Sequence, residues 1–127
     1  MSTENPLVSI ITPVYNGAKY VAETITSVLE QTYPRIEHLV LDDGSTDDTA
    51  AILTQFHEKA PGRLRLFRHD NIGQSATVNR GFLNSSGDIL GWINADDFYT
   101  SNAIQEALDL LRQDPATAVV YSNTERI

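Results

Sequence analysis

Short runs of apolar, β-branched residues alternate along this chain with longer segments whose apolar residues recur at helical spacing. The runs predict strands at residues 7–12, 37–41, 64–67, 89–93 and 118–121, with Pro13 ending the first. The longer segments predict helices at residues 17–31, 45–59, 74 to 82 or 83, and 101–112, with Ser45 as the N-cap of the second. Strands joined by helices pair in parallel with crossover connections, so the predicted fold class is α/β.

The composition narrows the range of partners. The chain has 127 residues, enough for one domain, and a formal net charge of −8, which argues against nucleic acid as a partner. A phosphorylated ligand remains compatible with this charge if a divalent cation neutralises it. The absence of cysteine excludes disulfides and a cysteine nucleophile. Without a signal-peptide pattern or an apolar stretch of membrane-spanning length, the expected location is cytoplasmic, with peripheral membrane association left open.

Polar residues cluster at the predicted carboxyl ends of three strands. They are residues 13–17 after the first strand, residues 42–45 after the second and residues 94–97 after the fourth. Ligands of open α/β sheets bind outside the carboxyl ends of the strands, and the ends of parallel strands share one edge. We therefore expect the three segments to build one ligand site.

Asp42 and Asp43 form the first acidic pair. Turn chemistry explains the Gly-Ser that follows but does not require two adjacent carboxylates, which could accept hydrogen bonds from a ribose hydroxyl or a base N–H. A dehydrogenase would need Gly-x-Gly-x-x-Gly after the first strand. Residues 13–17 contain a single glycine, which argues against hydride transfer on NAD. Tyr15 in this loop would either face the ligand or pack on the first helix.

The segment after the fourth strand, residues 94–97, reads Asn-Ala-Asp-Asp. Two carboxylates and an amide suit a hard cation such as Mg²⁺ or Mn²⁺, which prefers oxygen ligands and keeps substrate phosphates in its shell. The alternative is that the acidic pair caps the next helix. Residues 100–102, Thr-Ser-Asn, can already supply that cap, so a metal or phosphate site is favoured.

Other residues receive weaker interpretations. Asn79 or Arg80 could reach a phosphate, although a solvated surface position is the simpler expectation for Arg80 alone. The histidines show no metal-binding spacing and are interpreted as structural or exposed, and Trp92 is interpreted as a core residue.

Read in order, these segments closely resemble the family 2 glycosyltransferases. The resemblance rests on residues 8–16, 27–33, 41–47, 71–73, 79–81, 87–88 and 94–97, and it spans residues 7 to 121. It implies a GT-A fold, a Rossmann-like three-layer sandwich with a mostly parallel central sheet, here without its C-terminal acceptor half. A nucleotide-diphosphate sugar would bind across the carboxyl edge of the sheet with Mn²⁺ or Mg²⁺.

The resemblance also assigns residues to the nucleotide. Pro13 and Tyr15 would flank the nucleoside, and Asp43 would hydrogen-bond the base. Asn94 stands where the family usually has its first aspartate. The Asn94 amide would contact ribose or a metal-bound water, and with Asn79 it completes the expected nucleotide-sugar-binding set.

The metal site is assigned in the same way. Asp96 matches the last aspartate of the family's Asp-x-Asp and would bind the metal that bridges the two phosphates, while Asp97 would support the site. Because an amide at position 94 brings no charge, the resemblance implies a reduced metal affinity.

The implied reaction transfers the sugar to an acceptor hydroxyl with inversion at the anomeric carbon, using a carboxylate as the base. In the family this base lies in the second half of the domain, and Glu125 does not match its position, so the catalytic residues are unknown. We expect residues 1–127 to be the nucleotide-sugar-binding part of a glycosyltransferase domain, inactive in transfer on its own. The expected acceptor is a glycan or a lipid-linked molecule, and homo-oligomerisation is left open.

Two alternatives to this enzyme are considered. A non-catalytic nucleotide-binding module derived from such an enzyme would share the donor site. A phospho-acceptor signalling domain would need an acidic pair after the first strand and a lysine after the fifth, where the sequence has Pro13 and residues 121–123, Tyr-Ser-Asn.

Overall fold

The computed structural model describes residues 5–113 and 125–126. Its central sheet consists of four parallel strands in the order β3-β2-β1-β4, namely β1 (Val8–Val14), β2 (Ile36–Asp43), β3 (Leu64–His69) and β4 (Ile89–Trp92). A separate antiparallel pair joins β5 (Asp97–Phe98) to β6 (Glu125–Arg126). The predicted α/β class with a parallel sheet is confirmed, whereas the strand predicted at residues 118–121 lies outside the described residues.

Four helices connect the strands and cover both faces of the sheet: α1 (Val21–Leu29), α2 (Thr49–Lys59), α3 (Gln74–Asn84) and α4 (Ala103–Gln113). Alternate strand residues point to opposite faces, so the sheet separates two layers of core. The face covered by α1, α2 and α4 buries Val8, Ile10, Val14, Val21, Ile25, Val28, Leu53, Ile104 and Leu108. The opposite face, covered by α3, buries Ile11, Leu39, Leu41 and Val78. None of the helices in the described part of the chain is long and apolar enough to cross a membrane.

The first strand continues past the proline that was expected to end it. Pro13 lies beyond Ile11, the last β1 residue that pairs with β4, while pairing with β2 continues to Val14. Pro13 is therefore paired with a neighbouring strand on one side only. Such a position tolerates a proline, which has no backbone N–H to donate. The following helix starts at Val21 rather than Gly17, because residues 17–20 form a turn in which the Gly17 carbonyl accepts from the backbone N–H of residues 20 and 21.

The prediction that Ser45 caps the second helix is wrong. The helix starts at Thr49, and Asp47 Oδ1 accepts from the Thr49 N–H at 2.9 Å. Ser45 is used elsewhere, since its Oγ accepts from the backbone N–H of Asn16 at 2.9 Å. The polar loop after β2 therefore binds the loop after β1 before the helix begins.

Trp92 is also placed differently from its predicted core position, because its side chain is 51% exposed. Within the residues that the structure describes, Trp92 lies on an edge strand, β4, and pairs with Ile11 of β1. Ile11 faces α3, but α3 packs over β1 and β2 and does not extend over β4. The indole is therefore left at the surface on this side of the sheet.

Gly81 allows α3 to approach the sheet closely. A Cβ at this position would lie 2.5 Å from Cγ2 of Ile11 and 3.1 Å from Cδ1 of Leu41. Both neighbours are fully buried core residues, so neither has room to move. The helix that leads out of the loop at residues 71–73 is thus held against β1 and β2 by the absence of a side chain.

We predict that Gly81→Ala lowers the free energy of unfolding by about 1–3 kcal/mol, because a methyl group is forced into a packed core. Urea denaturation monitored by circular dichroism measures this change. Gly62→Ala is the matched control, since a Cβ at Gly62 meets no atom within 4 Å. Equal stability of the two variants would contradict the close packing of α3.

His38 is a buried histidine in the middle of β2. Its Nε2 lies 2.7 Å from Oγ1 of Thr12, which is also buried. Burial lowers the pKa of His38 to about 3, from an ordinary value near 6.5. The imidazole is therefore neutral in the folded protein at neutral pH.

This burial predicts a pH dependence of stability. Below pH 6.5 the unfolded chain binds a proton at His38 that the folded chain excludes until the pH approaches 3. The His38 contribution to stability is thus complete above pH 6.5 and is lost as the pH falls, by about 1.4 kcal/mol per pH unit below pH 6. Denaturant unfolding between pH 7 and pH 5 should show a shallower loss for His38→Gln than for the wild type. A His57→Gln control should keep the wild-type slope, and identical slopes in all three proteins would refute the assignment.

Candidate functional site

An open cavity of ≈ 560 Å³ lies at the carboxyl ends of β1, β2 and β4. It is lined by Pro13, Val14, Tyr15, Asn16, Gly17, Tyr20, Asp43, Asn71, Gly73, Gln74, Asn94, Ala95 and Asp96. All three polar segments that the sequence places at strand ends therefore meet here. The cavity lies where ligands of parallel α/β sheets bind.

The loop after β1 is fixed by hydrogen bonds to the loop after β2. Asn16, in the left-handed region with φ 50°, accepts through Oδ1 from the backbone N–H groups of Thr46 (2.8 Å) and Asp47 (3.3 Å). The Gly17 N–H donates to Thr49 Oγ1 at 3.0 Å. Between these anchors the side chain of Tyr15 is 55% exposed and lines the cavity, which makes its aromatic face accessible to a ligand.

The two adjacent aspartates at the end of β2 have different positions. Asp42 accepts from the Ser45 N–H at 2.9 Å and serves the turn, whereas Asp43 lines the cavity. The side chain of Asp43 is only 4% exposed. Its Oδ1 accepts from the Ile72 N–H at 2.7 Å, and its Oδ2 accepts from the Gly73 N–H at 3.1 Å. Gly73 is the N-cap of α3, so the helix dipole also favours a negative charge here.

Two side chains complete the environment of Asp43. His69 Nε2 lies 3.1 Å from Oδ1, and Asn71 Nδ2 donates to Oδ2 at 3.3 Å. The guanidinium of Arg80 contacts His69 Nδ1. Because an arginine only donates, Nδ1 is the acceptor, so Nε2 carries the hydrogen that points towards Asp43 and Thr77 Oγ1.

His69 and Arg80 are members of the site that the sequence analysis missed. The histidines were interpreted as structural or exposed, and Arg80 alone as solvated. β3 continues two residues beyond its predicted end at residue 67, and His69 pairs with Asp43 across the sheet. The sequence carries no local signal for this contact, because it depends on the register between β2 and β3.

The segment after β4 faces the cavity through Asn94 and Asp96. Asn94 Oδ1 accepts from Gln74 Nε2 at 2.9 Å and from the indole Nε1 of Trp92 at 3.1 Å. Thr24 Oγ1 lies 2.6 Å from the backbone carbonyl oxygen of Asp97 and 2.9 Å from that of Ala95, so its hydroxyl anchors this turn to α1. The side chain of Asp96 is exposed and lines the cavity.

Two of the sequence-predicted site residues lie outside the cavity lining. Asp97 is half-buried and begins β5, and its N–H donates to the Asn94 carbonyl at 3.2 Å. Asn79 lies on an exposed position of α3. The structure thus brings Pro13, Tyr15, Asp43, Asn94 and Asp96 together in the cavity lining and leaves Asn79 and Asp97 outside it.

The lining can contribute few protein ligands to a cation. Within residues 5–113 no group of three or more His, Cys, Asp and Glu side chains is arranged to hold a metal ion. Asp96 offers an exposed carboxylate, which suits a cation whose remaining ligands are water and substrate phosphates. The residues present therefore fit Mg²⁺ or Mn²⁺ bound together with a diphosphate rather than a metal bound by protein alone.

Relatives of the chain share its sequence pattern. An uncharacterized glycosyltransferase of Rickettsia typhi is 39% identical over 127 residues, covering 99% of this chain and 39% of that protein. The chondroitin synthase of Escherichia coli is 37% identical over 122 residues, covering 96% of this chain and 18% of the synthase. The chain therefore spans well under half the length of these relatives.

Solved structures share the fold. The mannosyltransferase PcManGT from Pyrobaculum calidifontis, in complex with GDP-Man and Mn²⁺, superposes with a TM-score of 0.80 at 28% identity, covering 86% of this chain and 33% of that one. TarS 1-349 from S. aureus in complex with UDP-GlcNAc gives a TM-score of 0.74 at 26% identity, covering 84% and 31%. The expected GT-A fold is confirmed.

The model of the family described as Glycosyl transferase family 2 matches residues 9–127. That range includes every strand end that lines the cavity and leaves out only the first eight residues. The resemblance inferred from the ordered motifs is confirmed, and the chain belongs to glycosyl transferase family 2.

Proposed function

We propose that this chain forms the donor-binding part of a glycosyltransferase and that its cavity binds a nucleotide-diphosphate sugar. The observation that carries the proposal is the convergence of three unlike groups on one opening, the exposed ring of Tyr15, the buried carboxylate of Asp43 and the exposed carboxylate of Asp96. They offer a flat face, a hydrogen-bond acceptor and an oxygen ligand for a cation. A base, a ribose and a diphosphate require these three kinds of contact.

The base is assigned to the end of the cavity that contains Pro13, Tyr15 and Asp43. A base N–H can reach Asp43 only by sharing or displacing one of its four present donors. Asn71 makes the longest of these hydrogen bonds, 3.3 Å, and Asn71 is exposed. It is therefore the donor that a base displaces most easily. The backbone donors and His69 then keep the carboxylate in place while the base binds.

The ribose and the diphosphate are assigned to the other end, beside Asn94 and Asp96. A bound Mn²⁺ or Mg²⁺ would supply positive charge to the diphosphate as it departs, with Asp96 as its protein ligand. Asp97 supports this turn through its backbone N–H to the Asn94 carbonyl. A phosphate contact from Asn79 remains a prediction, since its side chain lies outside the cavity lining.

We assign the transfer step to the whole protein. Inverting transfer to a glycan or lipid-linked acceptor needs a base on the acceptor side, and the cavity described here holds the donor side. The names of the relatives support glycan synthesis as the setting, with the synthase of Escherichia coli acting in chondroitin synthesis. We place the reaction in the cytoplasm, at the membrane periphery if the acceptor is lipid-linked.

We predict that the chain binds UDP, GDP or dTDP more tightly with Mn²⁺ than with EDTA, and that Asp96→Asn reduces this enhancement by about 10-fold or more, since the amide removes the charge that holds the cation. Isothermal titration calorimetry measures both affinities. Asp70→Asn is the matched control, because Asp70 is exposed, close in sequence to the site and absent from the cavity lining.

The outcomes separate the candidate functions. If the wild type binds none of these nucleotides, with or without Mn²⁺, the donor-site proposal is wrong. If both aspartate variants behave alike, the cation is held elsewhere. Tight nucleotide binding by a full-length protein that shows no turnover of any sugar nucleotide would favour the non-catalytic module.

A further inference from the structure

The hydrogen bonds of Asn94 determine which of its atoms a ligand can use. An indole nitrogen only donates, so the Asn94 atom 3.1 Å from Trp92 Nε1 is the amide oxygen. The same oxygen lies 2.9 Å from Gln74, which therefore approaches it with its own amide nitrogen. An amide oxygen has two lone pairs, and two N–H donors occupy both of them.

This arrangement leaves Nδ2 as the group of Asn94 that is available to the cavity. Among the residues that the structure describes, none accepts a hydrogen bond from Nδ2. An amide nitrogen donates hydrogen bonds and does not ligate Mg²⁺ or Mn²⁺, which take oxygen ligands. Asn94 thus offers a donor in a cavity whose nearby acidic side chain, Asp96, offers only acceptors.

The donor-site proposal already places Asn94 beside the ribose and the diphosphate. We propose that Trp92 and Gln74 are positioning residues that hold the Asn94 amide with Nδ2 towards the donor nucleotide, so that Asn94 donates a hydrogen bond to an oxygen atom there and is not a metal ligand. The inference rests on the proposed donor site and refines it. The acceptor is either a ribose hydroxyl or a phosphate oxygen. In this arrangement the cation depends on Asp96 for its protein contact, while Asn94 contributes to nucleotide affinity whether or not a cation is bound.

The arrangement also explains why an aromatic residue is exposed beside the cavity. Trp92 is 51% exposed, yet its indole N–H contacts Asn94 two residues further along the chain. It is the single tryptophan of the chain, so one indole signal reports on this contact. Gln74 approaches from the first residue of α3, on the opposite side of the cavity, so the contact also joins α3 to the turn after β4.

The test compares nucleotide affinity with EDTA and with Mn²⁺ in the wild type, Asn94→Ala and Asp96→Asn. We expect Asn94→Ala to weaken the binding of UDP, or of the nucleotide that the wild type prefers, by about three- to tenfold in both conditions, the value of one hydrogen bond. The ratio of the affinity with Mn²⁺ to the affinity with EDTA then stays as in the wild type, whereas Asp96→Asn lowers this ratio. A reduced ratio in Asn94→Ala would identify Asn94 as a metal ligand and overturn the inference, as would unchanged affinities.

One further ligand, inorganic pyrophosphate, distinguishes the sources of the oxygen acceptor. If the contact is to ribose, Asn94→Ala weakens the binding of the diphosphate nucleotide and leaves the binding of inorganic pyrophosphate unchanged. If the contact is to phosphate, the variant weakens the binding of both ligands by the same factor. If the wild type binds no nucleotide in any condition, the donor-site proposal and this inference are both wrong. If the wild type binds nucleotide and Asn94→Ala binds it with the same affinity, only this inference is wrong.

The positioning role has its own readout. The indole N–H resonance of Trp92 in a ¹H–¹⁵N spectrum should move upfield in Asn94→Ala, because its hydrogen-bond acceptor is lost, and should shift in the wild type when nucleotide binds. Gln74→Met should weaken nucleotide binding by about two- to fivefold, since a neutral hydrogen bond is removed. The ratio of the affinities with Mn²⁺ and with EDTA should not change. Gln105→Met, at a half-buried position of α4 outside the cavity lining, is the matched control. An unchanged indole resonance in Asn94→Ala, or equal affinity of the two methionine variants, would contradict the positioning role.

Discussion

The site depends on one buried carboxylate, that of Asp43. A buried charge is stable only when its oxygens are hydrogen-bonded, and this one receives two backbone N–H donors from residues 72 and 73 and two side-chain donors from His69 and Asn71. These donors come from the end of β3 and the loop before α3. The carboxylate therefore joins two neighbouring strands to the start of a helix and fixes one side of the donor cavity.

The other side of the cavity is fixed by different interactions. Polar side chains link the loops after β1 and β2, and Thr24 of α1 holds the turn that contains Asn94 and Asp96. The hydrogen bond between Gln74 and Asn94 connects this side with the first residue of α3. The close packing of Gly81 on β1 and β2 sets the height of the same helix above the sheet. Residues far apart in sequence are thus joined by hydrogen bonds into one framework, which carries the exposed side chains of Tyr15 and Asp96.

Much of this arrangement follows from sequence periodicity. Apolar strands separated by helices predict a parallel sheet, and parallel strands bring their polar ends together, which is why residues 13–17, 42–45 and 94–97 were predicted to build one site. The roles of Pro13, Tyr15, Asp43, Asn94 and Asp96 within these segments came from the family resemblance. Prediction was weaker where tertiary contacts override local preference. Ser45 has the side chain of a helix cap but bonds to a neighbouring loop. Trp92 has the hydrophobicity of a core residue, but within the described part of the chain it lies on an edge strand, on the face of the sheet that α3 covers only over β1 and β2. His69 could be placed only by knowing the register of β2 and β3.

The central claim is that a nucleotide and a divalent cation bind together at the carboxyl edge of the sheet. Paramagnetic broadening by Mn²⁺ of the backbone amide signals, measured with and without a saturating nucleoside diphosphate, tests it most directly. The account predicts broadening that requires the nucleotide and is strongest at residues 95–97, with residues 55–62 at the far end of α2 as an internal reference. Broadening that is independent of the nucleotide, or that is centred away from Asp96, would contradict it.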